Sequence, residues 1–351
     1  MKSLILSEAV QGGNLRVRAP SNIALIKYWG KKEVQLPMNP SLSLTLSEAF
    51  TESEIDYEFE EIIPRKNVHL VFDFEGEDSS KYSARIQNYF DSLLMRYPFL
   101  GQLKIILRTR NSFPHSAGIA SSASSMASLA LALCSLEKKF FNSFLSDEDF
   151  FKKASILARL GSGSASRSVY GGVVTWGCIE GQESSDEYAT AMTEVHSCFD
   201  DYRDSILIVD SKPKSVSSSL GHQIMNNSAY GNVRFNEARK KILALIKVMR
   251  SGDLEQFVSI VENEALELHG MMLASNYMLI RPQTISLIEE LRAFRKESSI
   301  PVCFTLDAGP NLHLLYPAQY SQKIKGFIDQ MKPFYENFLH DRVGTGPQIH
   351  D

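Results

Sequence analysis

Several short stretches of this 351-residue chain combine residue types that could do chemistry. The first, Pro114-His115-Ser116-Ala117-Gly118-Ile119-Ala120-Ser121-Ser122-Ala123-Ser124, is a small-residue loop running into a helical pattern. Backbone N–H groups at such a start, with the positive end of the helix dipole, form an anion site. Gly118 and Ala120 would let phosphate oxygens approach the main chain. The same composition suits a Ser/Ala-rich helix start packed closely on another element. No G-x-x-x-x-G-K-[ST] occurs, which excludes a P-loop.

The second stretch is Gly161-Ser162-Gly163-Ser164-Ala165-Ser166-Arg167-Ser168-Val169-Tyr170-Gly171-Gly172. A guanidinium on a Gly/Ser scaffold can hold a carboxylate through two parallel hydrogen bonds, which a lysine cannot reproduce. It fails as a dinucleotide fingerprint, because Ser166 stands at the third glycine and no strand immediately precedes it. Taken alone, the arginine also fits a surface turn. Asp307-Ala308-Gly309-Pro310-Asn311 has the residues of a hairpin turn. Its flank Phe304-Thr305-Leu306 delivers the Asp307 carboxylate from the end of an apolar strand, where partial desolvation suits base or orienting work. Lys27-Tyr28-Trp29-Gly30-Lys31 puts two cations and a phenol together, enough to bind an acidic substrate or to form a solvated lysine face. Lys212 to Gly221 offers serine hydroxyls and N–H groups to a phosphate, or is a capped helix start.

These groups need elements to hold them. Residues 14–27 and 41–46 read as strands, the second alternating Leu42, Leu44 and Leu46 with Ser41, Ser43 and Thr45, and the loop between them carries Lys27 to Lys31. Residues 68–74 and 103–109 alternate like strands, while Ser83 to Tyr97 has helical spacing. A helix is expected from Ser121, since Met126, Leu129, Ala130 and Leu133 recur at helical intervals. After the strand-like Val173 to Trp176, the polar stretch Gly181 to Glu187 reads either as a domain boundary or as a surface loop. Beyond residue 195 come a strand at Ser205 to Val209 and helical patterns over 230–250, 253–270 and 283–297. A hairpin-like pair, Val302 to Leu306 and Leu312 to Tyr316, follows. An α/β first half and a second half with helices on one side of strands predict an α+β chain.

The composition, 44% hydrophobic and 22% charged, is that of a globular chain long enough for two cores. A net charge of −4 with no polybasic block argues against nucleic acid or an anionic membrane as partner. The apolar run Met126 to Cys134 falls short of the ~18 residues of a membrane span, and the first residues are too short for a secretory segment. A cytoplasmic protein is expected. Cys134, Cys178, Cys198 and Cys303 form no C-x-x-C, which argues against a zinc site or disulfide framework.

Taken in order, these stretches resemble one family, the mevalonate diphosphate decarboxylases of the GHMP kinase superfamily. The resemblance rests on residues 19–31, 118–124, 161–172, 216–219, 307–311 and 343–347, the last reading Val-Gly-Thr-Gly-Pro. Tyr28-Trp29-Gly30-Lys31, and Ala120 where related kinases carry Gly, are particularly specific to it. The resemblance implies a two-domain GHMP kinase fold: an N-terminal ATP-binding domain over 1–194 and a C-terminal ferredoxin-like domain over 195–351, with the active site between them. It implies ATP and Mg²⁺, the metal bound mainly through the ATP phosphates, with mevalonate 5-diphosphate as substrate and a homodimer as the family's assembly. By position, Asp307, Arg167 and Lys31 take catalytic roles: Asp307 orients or deprotonates the 3-hydroxyl and Arg167 holds the C1 carboxylate. Tyr28, Lys31, Ser164, Arg167, Ser218 and Ser219 take substrate-binding positions, and Ser116, Gly118, Ala120, Ser121, Ser122 and Ser124 ATP-binding ones. The chain departs from the family pattern at His115, where Thr is typical. It departs again at Ser219, where Thr or Arg is usual, and at Leu220-Gly221-His222, where Gly-Met is more usual. Readings that keep the fold are a phosphomevalonate decarboxylase or a 3-kinase of mevalonate or its phosphate; a ligand sensor without catalysis is a further class.

Overall fold

The computed structural model describes residues 4–75, 80–113, 119–212 and 217–350, with Lys81 and Ser218 described by backbone alone. Strands β1 (Gly13–Ile26) and β2 (Ser41–Phe59) form a long antiparallel pair. The first residues of β1 alternate between buried and exposed, but from Ala19 onward every residue is buried. Its far end is therefore covered on both faces, as expected of a strand inside a layered core. There follow β3 (His69–Phe74), α1 (Ser80–Leu93), β4 (Leu103–Asn111), α2 (Ser121–Phe141), α3 (Asp147–Gly161), β5 (Val173–Trp176) and β6 (Ala189–Ala191). The second half holds β7 (Tyr202–Ile208), α4 (Ser218–Asn227), α5 (Gly231–Ser251), α6 (Leu254–Ala274) and α7 (Pro282–Ser298). Strands β8 (Cys303–Leu306) and β9 (Leu312–Pro317), helix α8 (Ser321–Gln330), and strands β10 (Asn337–Arg342) and β11 (Gln348–His350) complete it.

One sheet runs β11-β1-β2-β4-β3, with β5 and β6 added along the start of β2. All its pairings are antiparallel except β3 with β4. The other runs β10-β7-β9-β8, all antiparallel. Its β-α-β-β-α-β order, with α4 to α7 filling the first helical slot, is the ferredoxin-like arrangement. The chain is an α+β protein of two such units, as expected. One hydrophobic cluster joins them, packing Ile23, Leu25, Leu42 and Leu44 against Ile206, Ile242, Leu245 and Leu315.

The Ser/Ala composition of α2 has a packing cause. Ser124 and Ser128, one turn apart, hydrogen-bond Thr51 at 2.6 Å and Ser53 at 2.7 Å on β2. The small side chains let the helix lie close to the sheet. In α3 the hydroxyl of Ser146 accepts the Asp149 N–H at 3.1 Å, and three acidic residues fill the first turn, complementing the helix dipole.

Several sequence expectations are corrected here. Strand β2 continues well past Leu46, and the first-half helix lies at Ser80–Leu93, earlier than 83–97. The polar stretch Gly181 to Glu187 is a loop between β5 and β6 inside the first sheet, so it is no boundary. Helices α3 and α8 were not anticipated. The last strand, β11, returns from the second half to pair with β1. Among the described residues, no helix is long and apolar enough to cross a membrane.

Candidate active site

The buried end of β1 delivers Lys27 into the protein interior, 1% exposed, and among the described residues its ammonium nitrogen has no hydrogen-bond partner. Its backbone N–H donates to Glu264 Oε1 on α6 at 2.9 Å. Glu264, fully buried, also pairs with Arg234 of α5, and with Lys241 at 3.3 Å. Burial pulls the Lys27 pKa down to about 8, although the charges of Asp307, Glu264 and Asp204 hold it up against the opposing charge of Arg167. A buried cation without a bonded partner points to a ligand anion. Lys27 is thus a site residue that the sequence reading left unassigned.

Arg167 lies in a short 3-10 turn, Gly163–Val169, and is 2% exposed. Its Nη1 donates to Ser41 Oγ at 2.6 Å and its Nε to Ser43 Oγ at 3.0 Å. Nε and Nη2 also reach Asn22 Oδ1 at 3.4 and 3.3 Å. These acceptors are all neutral. Burial lowers its pKa to about 10, partly offset by Tyr28 and Asp307. The surface-turn reading of this arginine is excluded. Ser41, Ser43 and Asn22 were not anticipated as its supports, because serines alternating with leucines read as the solvent face of a strand.

Tyr28 packs edge-on to Trp176, with ring centroids 4.7 Å apart, and its hydroxyl points to Gln35 O at 3.5 Å. Burial raises its pKa. Lys31 is half-buried, bonded to Gln35 Oε1 at 3.2 Å, and its pKa is lowered by burial and then by Arg85. Ser164 is half-buried, and its carbonyl accepts from Asn22 at 3.3 Å.

Asp307 follows β8 directly, half-buried at the strand end. Its carbonyl accepts from His269 Nε2 of α6 at 3.1 Å and from the Gly309 N–H at 2.8 Å, which fixes the turn. Its negative charge raises the pKa of Lys27, Arg167, His269 and His222 alike. One carboxylate of the second unit thus acts on two buried cations of the first, Lys27 and Arg167. The end of β1, the end of β8 and the 163–169 turn bring the charges of Lys27, Asp307 and Arg167 to act on one another.

The start of α2 supplies a different chemistry. Its N-cap residue is Ala120, in the left-handed region at φ 45° and unable to cap through a side chain. Among the described residues no side chain caps the amides of half-buried Ser121 and Ser122, an arrangement that suits an anion, while the Ala123 N–H donates to the Ala120 carbonyl at 2.7 Å. Ser122 Oγ lies 3.3 Å from Ser162 Oγ. Ser124 does not join them: it is fully buried, and its hydroxyl bonds Thr51 and the Ser121 carbonyl, so it packs the helix onto β2. Ser116, Gly118 and His115 lie outside the described residues. At α4, the Ser217 hydroxyl caps the helix by accepting the Leu220 N–H at 3.2 Å, and Ser219 is exposed. Ser218 opens the helix. Among the described residues, no group of three His, Cys, Asp or Glu side chains is arranged to hold a metal.

Residues 19–189 match the family model of the diphosphomevalonate decarboxylase-like N-terminal domain, and residues 205–349 that of the mevalonate 5-diphosphate decarboxylase C-terminal domain. The diphosphomevalonate decarboxylase of Gibberella zeae is 30% identical over 336 residues, covering 89% of this chain and 83% of that protein. That of Saccharomyces cerevisiae is 29% identical over 335 residues, covering 89% and 80%. Mevalonate diphosphate decarboxylase from Staphylococcus aureus superposes with a TM-score of 0.81 at 29% identity, over 97% of this chain and 99% of that one. A complex of MDDEF with MVAPP, AMPPCP and magnesium gives a TM-score of 0.81 at 26% identity, over 97% and 100%. With both halves matched in order and nearly the whole length covered, this chain belongs to the diphosphomevalonate decarboxylase family.

Proposed function

We propose that this chain catalyses the ATP-dependent decarboxylation of mevalonate 5-diphosphate to isopentenyl diphosphate, with ADP, phosphate and CO₂ as the other products. The observation that carries the reading is Arg167. A buried guanidinium whose hydrogen bonds all go to neutral groups suits the carboxylate that is lost.

In this reading Asp307 orients or deprotonates the 3-hydroxyl. That oxygen bonds the γ-phosphorus of ATP as the bond to ADP breaks. The C1–C2 bond then breaks to release CO₂, its electron pair forms the alkene, and the C3–O bond breaks with phosphate carrying away its electrons. In the same reading the Lys27 ammonium stabilises the charge that develops on the transferring phosphoryl group. The amides at the start of α2, with Ser121 and Ser122, hold ATP phosphates. Magnesium would be held mainly by those phosphates and supply further charge neutralisation there. Tyr28, Lys31, Ser164, Ser218 and Ser219 line the substrate side.

The test is to incubate the protein with MgATP and mevalonate carrying zero, one or two phosphates, following ADP and CO₂ separately. Equal release of both is expected with the diphosphate, favoured over the monophosphate by at least about tenfold in kcat/KM, on the order of 1.4 kcal/mol. ADP without CO₂ would make the protein a kinase, and no ADP with any of the three would remove the reading. Asp307→Asn, which keeps the shape and loses the charge, is expected to abolish both products while ATP still binds.

A further inference from the structure

His222 occupies the position where the family pattern usually has Met, and its surroundings give it more than a packing role. Helix α4 presses onto the loop after β1. At Gly221 a Cβ would come within 1.7 Å of the Trp29 ring, so only glycine allows the approach. The His222 ring lies 4.4 Å from Tyr28 and 5.4 Å from Trp29, centroid to centroid, and the residue is 8% exposed. Its Nδ1 lies 3.0 Å from the Gly30 nitrogen.

A backbone N–H can only donate, so Nδ1 must accept, and the ring proton sits on Nε2. Among the described residues no protein group bonds Nε2, and it is not a sealed, orphaned atom. The ring is therefore a fixed donor whose Nε2–H is bound by no described residue and is not sealed from solvent, packed beside Tyr28. It stays neutral, since burial and then Lys31 lower its pKa to about 3 against the pull of Asp307. The charges of Lys31 and Asp307 both act on it. Along α4, Ser219 lies three residues before it, on the same helical face.

We infer that His222 is a substrate-binding residue whose Nε2–H donates to an anionic oxygen at the diphosphate end of the substrate, supplying a donor in a pocket where Ser219 replaces the usual Thr or Arg. The inference rests on the proposed function for the identity of the ligand. It assigns His222 two separate tasks, acceptance from Gly30 through Nδ1 and donation to substrate through Nε2.

Three substitutions separate those tasks. His222→Gln keeps a donor near the Nε2 position, His222→Asn keeps an acceptor near Nδ1 and loses the far donor, and His222→Met keeps neither. Binding of mevalonate diphosphate, and of inorganic pyrophosphate as a minimal probe, would be read from tryptophan fluorescence, since Trp29 adjoins the ring. The Kd and KM for mevalonate diphosphate should rise by about tenfold or more in Asn and Met, the loss of one hydrogen bond to a charged group. Gln should recover most of that loss, with kcat little changed and melting temperatures close to wild type. If Asn binds as wild type does while Gln does not, His222 serves only to hold Gly30 and the inference falls. Met binding within twofold of wild type would also overturn it. A wild-type protein that binds the diphosphate in a His222-dependent way without releasing CO₂ would overturn the proposed reaction and leave this inference standing. One that does not bind it would remove both.

Discussion

At the scale of single residues, the site combines the fully buried cations Lys27 and Arg167 with the half-buried charges of Asp307 and Lys31. Lys27 is the extreme case, a buried ammonium with no bonded partner among the described residues, beside the carboxylates of Asp307, Glu264 and Asp204. Its pKa, brought down to about 8 by burial, gives a two-sided prediction. If the ammonium stabilises phosphoryl transfer, kcat/KM should fall as pH rises through about 8. Stability should move the other way. Between about 8 and the unperturbed 10.5 the folded chain holds fewer protons than the unfolded one, so the Lys27 contribution grows with pH by on the order of 1 kcal/mol per unit. It is lost again as pH falls through 8. Lys27→Met should flatten both trends and reduce kcat by about tenfold to a hundredfold, one charged interaction in a dry site. Parallel pH–rate and urea-unfolding series on the two proteins would show it; a Met variant that retains the alkaline fall in rate would assign that limb to another group.

At the scale of elements, Ala120 links local strain to the nucleotide site. A residue with a Cβ in the left-handed region costs about 1–2 kcal/mol, which glycine avoids, and Ala120 sits there at φ 45° as the N-cap of α2. Ala120→Gly should raise stability by about 1 kcal/mol, less a part lost to the freer unfolded chain, while the KM for ATP changes by less than about threefold. A fall in melting temperature would mean that the alanine methyl has a packing role. The same elements show what the sequence could convey. Period-two and helical spacing located β4, α5, α6 and α7, each with one dry face and one wet face; the same spacing also found β1, although it is buried on both faces from Ala19, and α2, although it is buried nearly all round. Ser41 and Ser43 defeated that logic, since both faces of β2 are buried there and the serines support a guanidinium 124 and 126 residues away. In the sequence Lys27 reads as one of two cations in residues 27–31 that suit an acidic substrate or a solvated face. Its meaning depends on Glu264, 237 residues further along. Ser124 misled for the opposite reason: a serine in a helix start can serve a phosphate or a sheet, and only the direction of its hydroxyl decides.

Across the whole molecule, the two sheets are joined by an arrangement that no local pattern reveals. Strand β2 pairs with β5 over Ser41–Leu44 and with β4 from Thr51 onward. Between those partners its backbone would be left without a ladder. The end of β10 and the residues after it fill the gap. Val343 bridges Leu46, the Gly344 N–H donates to Thr45 O at 2.8 Å, and the Gly172 N–H donates to Gly344 O at 2.8 Å. The Asp341 carboxylate, 5% exposed, accepts the N–H groups of Ser47 at 2.8 Å, Glu48 at 2.9 Å and Ala49 at 2.7 Å. Oδ1 takes the first two and Oδ2 the third. Asp341→Asn can keep the Oδ1 bonds but turns an N–H₂ group toward the Ala49 N–H, so one buried donor is left facing another. That should cost about 1–3 kcal/mol. Asp341→Ala leaves these three amides, and the Arg342 N–H that also donates to Oδ1 at 2.7 Å, without that acceptor and should cost more than the Asn variant. Because residues of both sheets share one hydrophobic cluster, the loss should not uncouple the halves. Urea unfolding followed by circular dichroism and by tryptophan fluorescence should shift to lower denaturant in a single coincident transition. Trp176 reports from β5 and Trp29 from the loop packed against α4. Two separated transitions in Asp341→Ala would mean that the carboxylate, rather than the shared core, is what makes the two units fold as one.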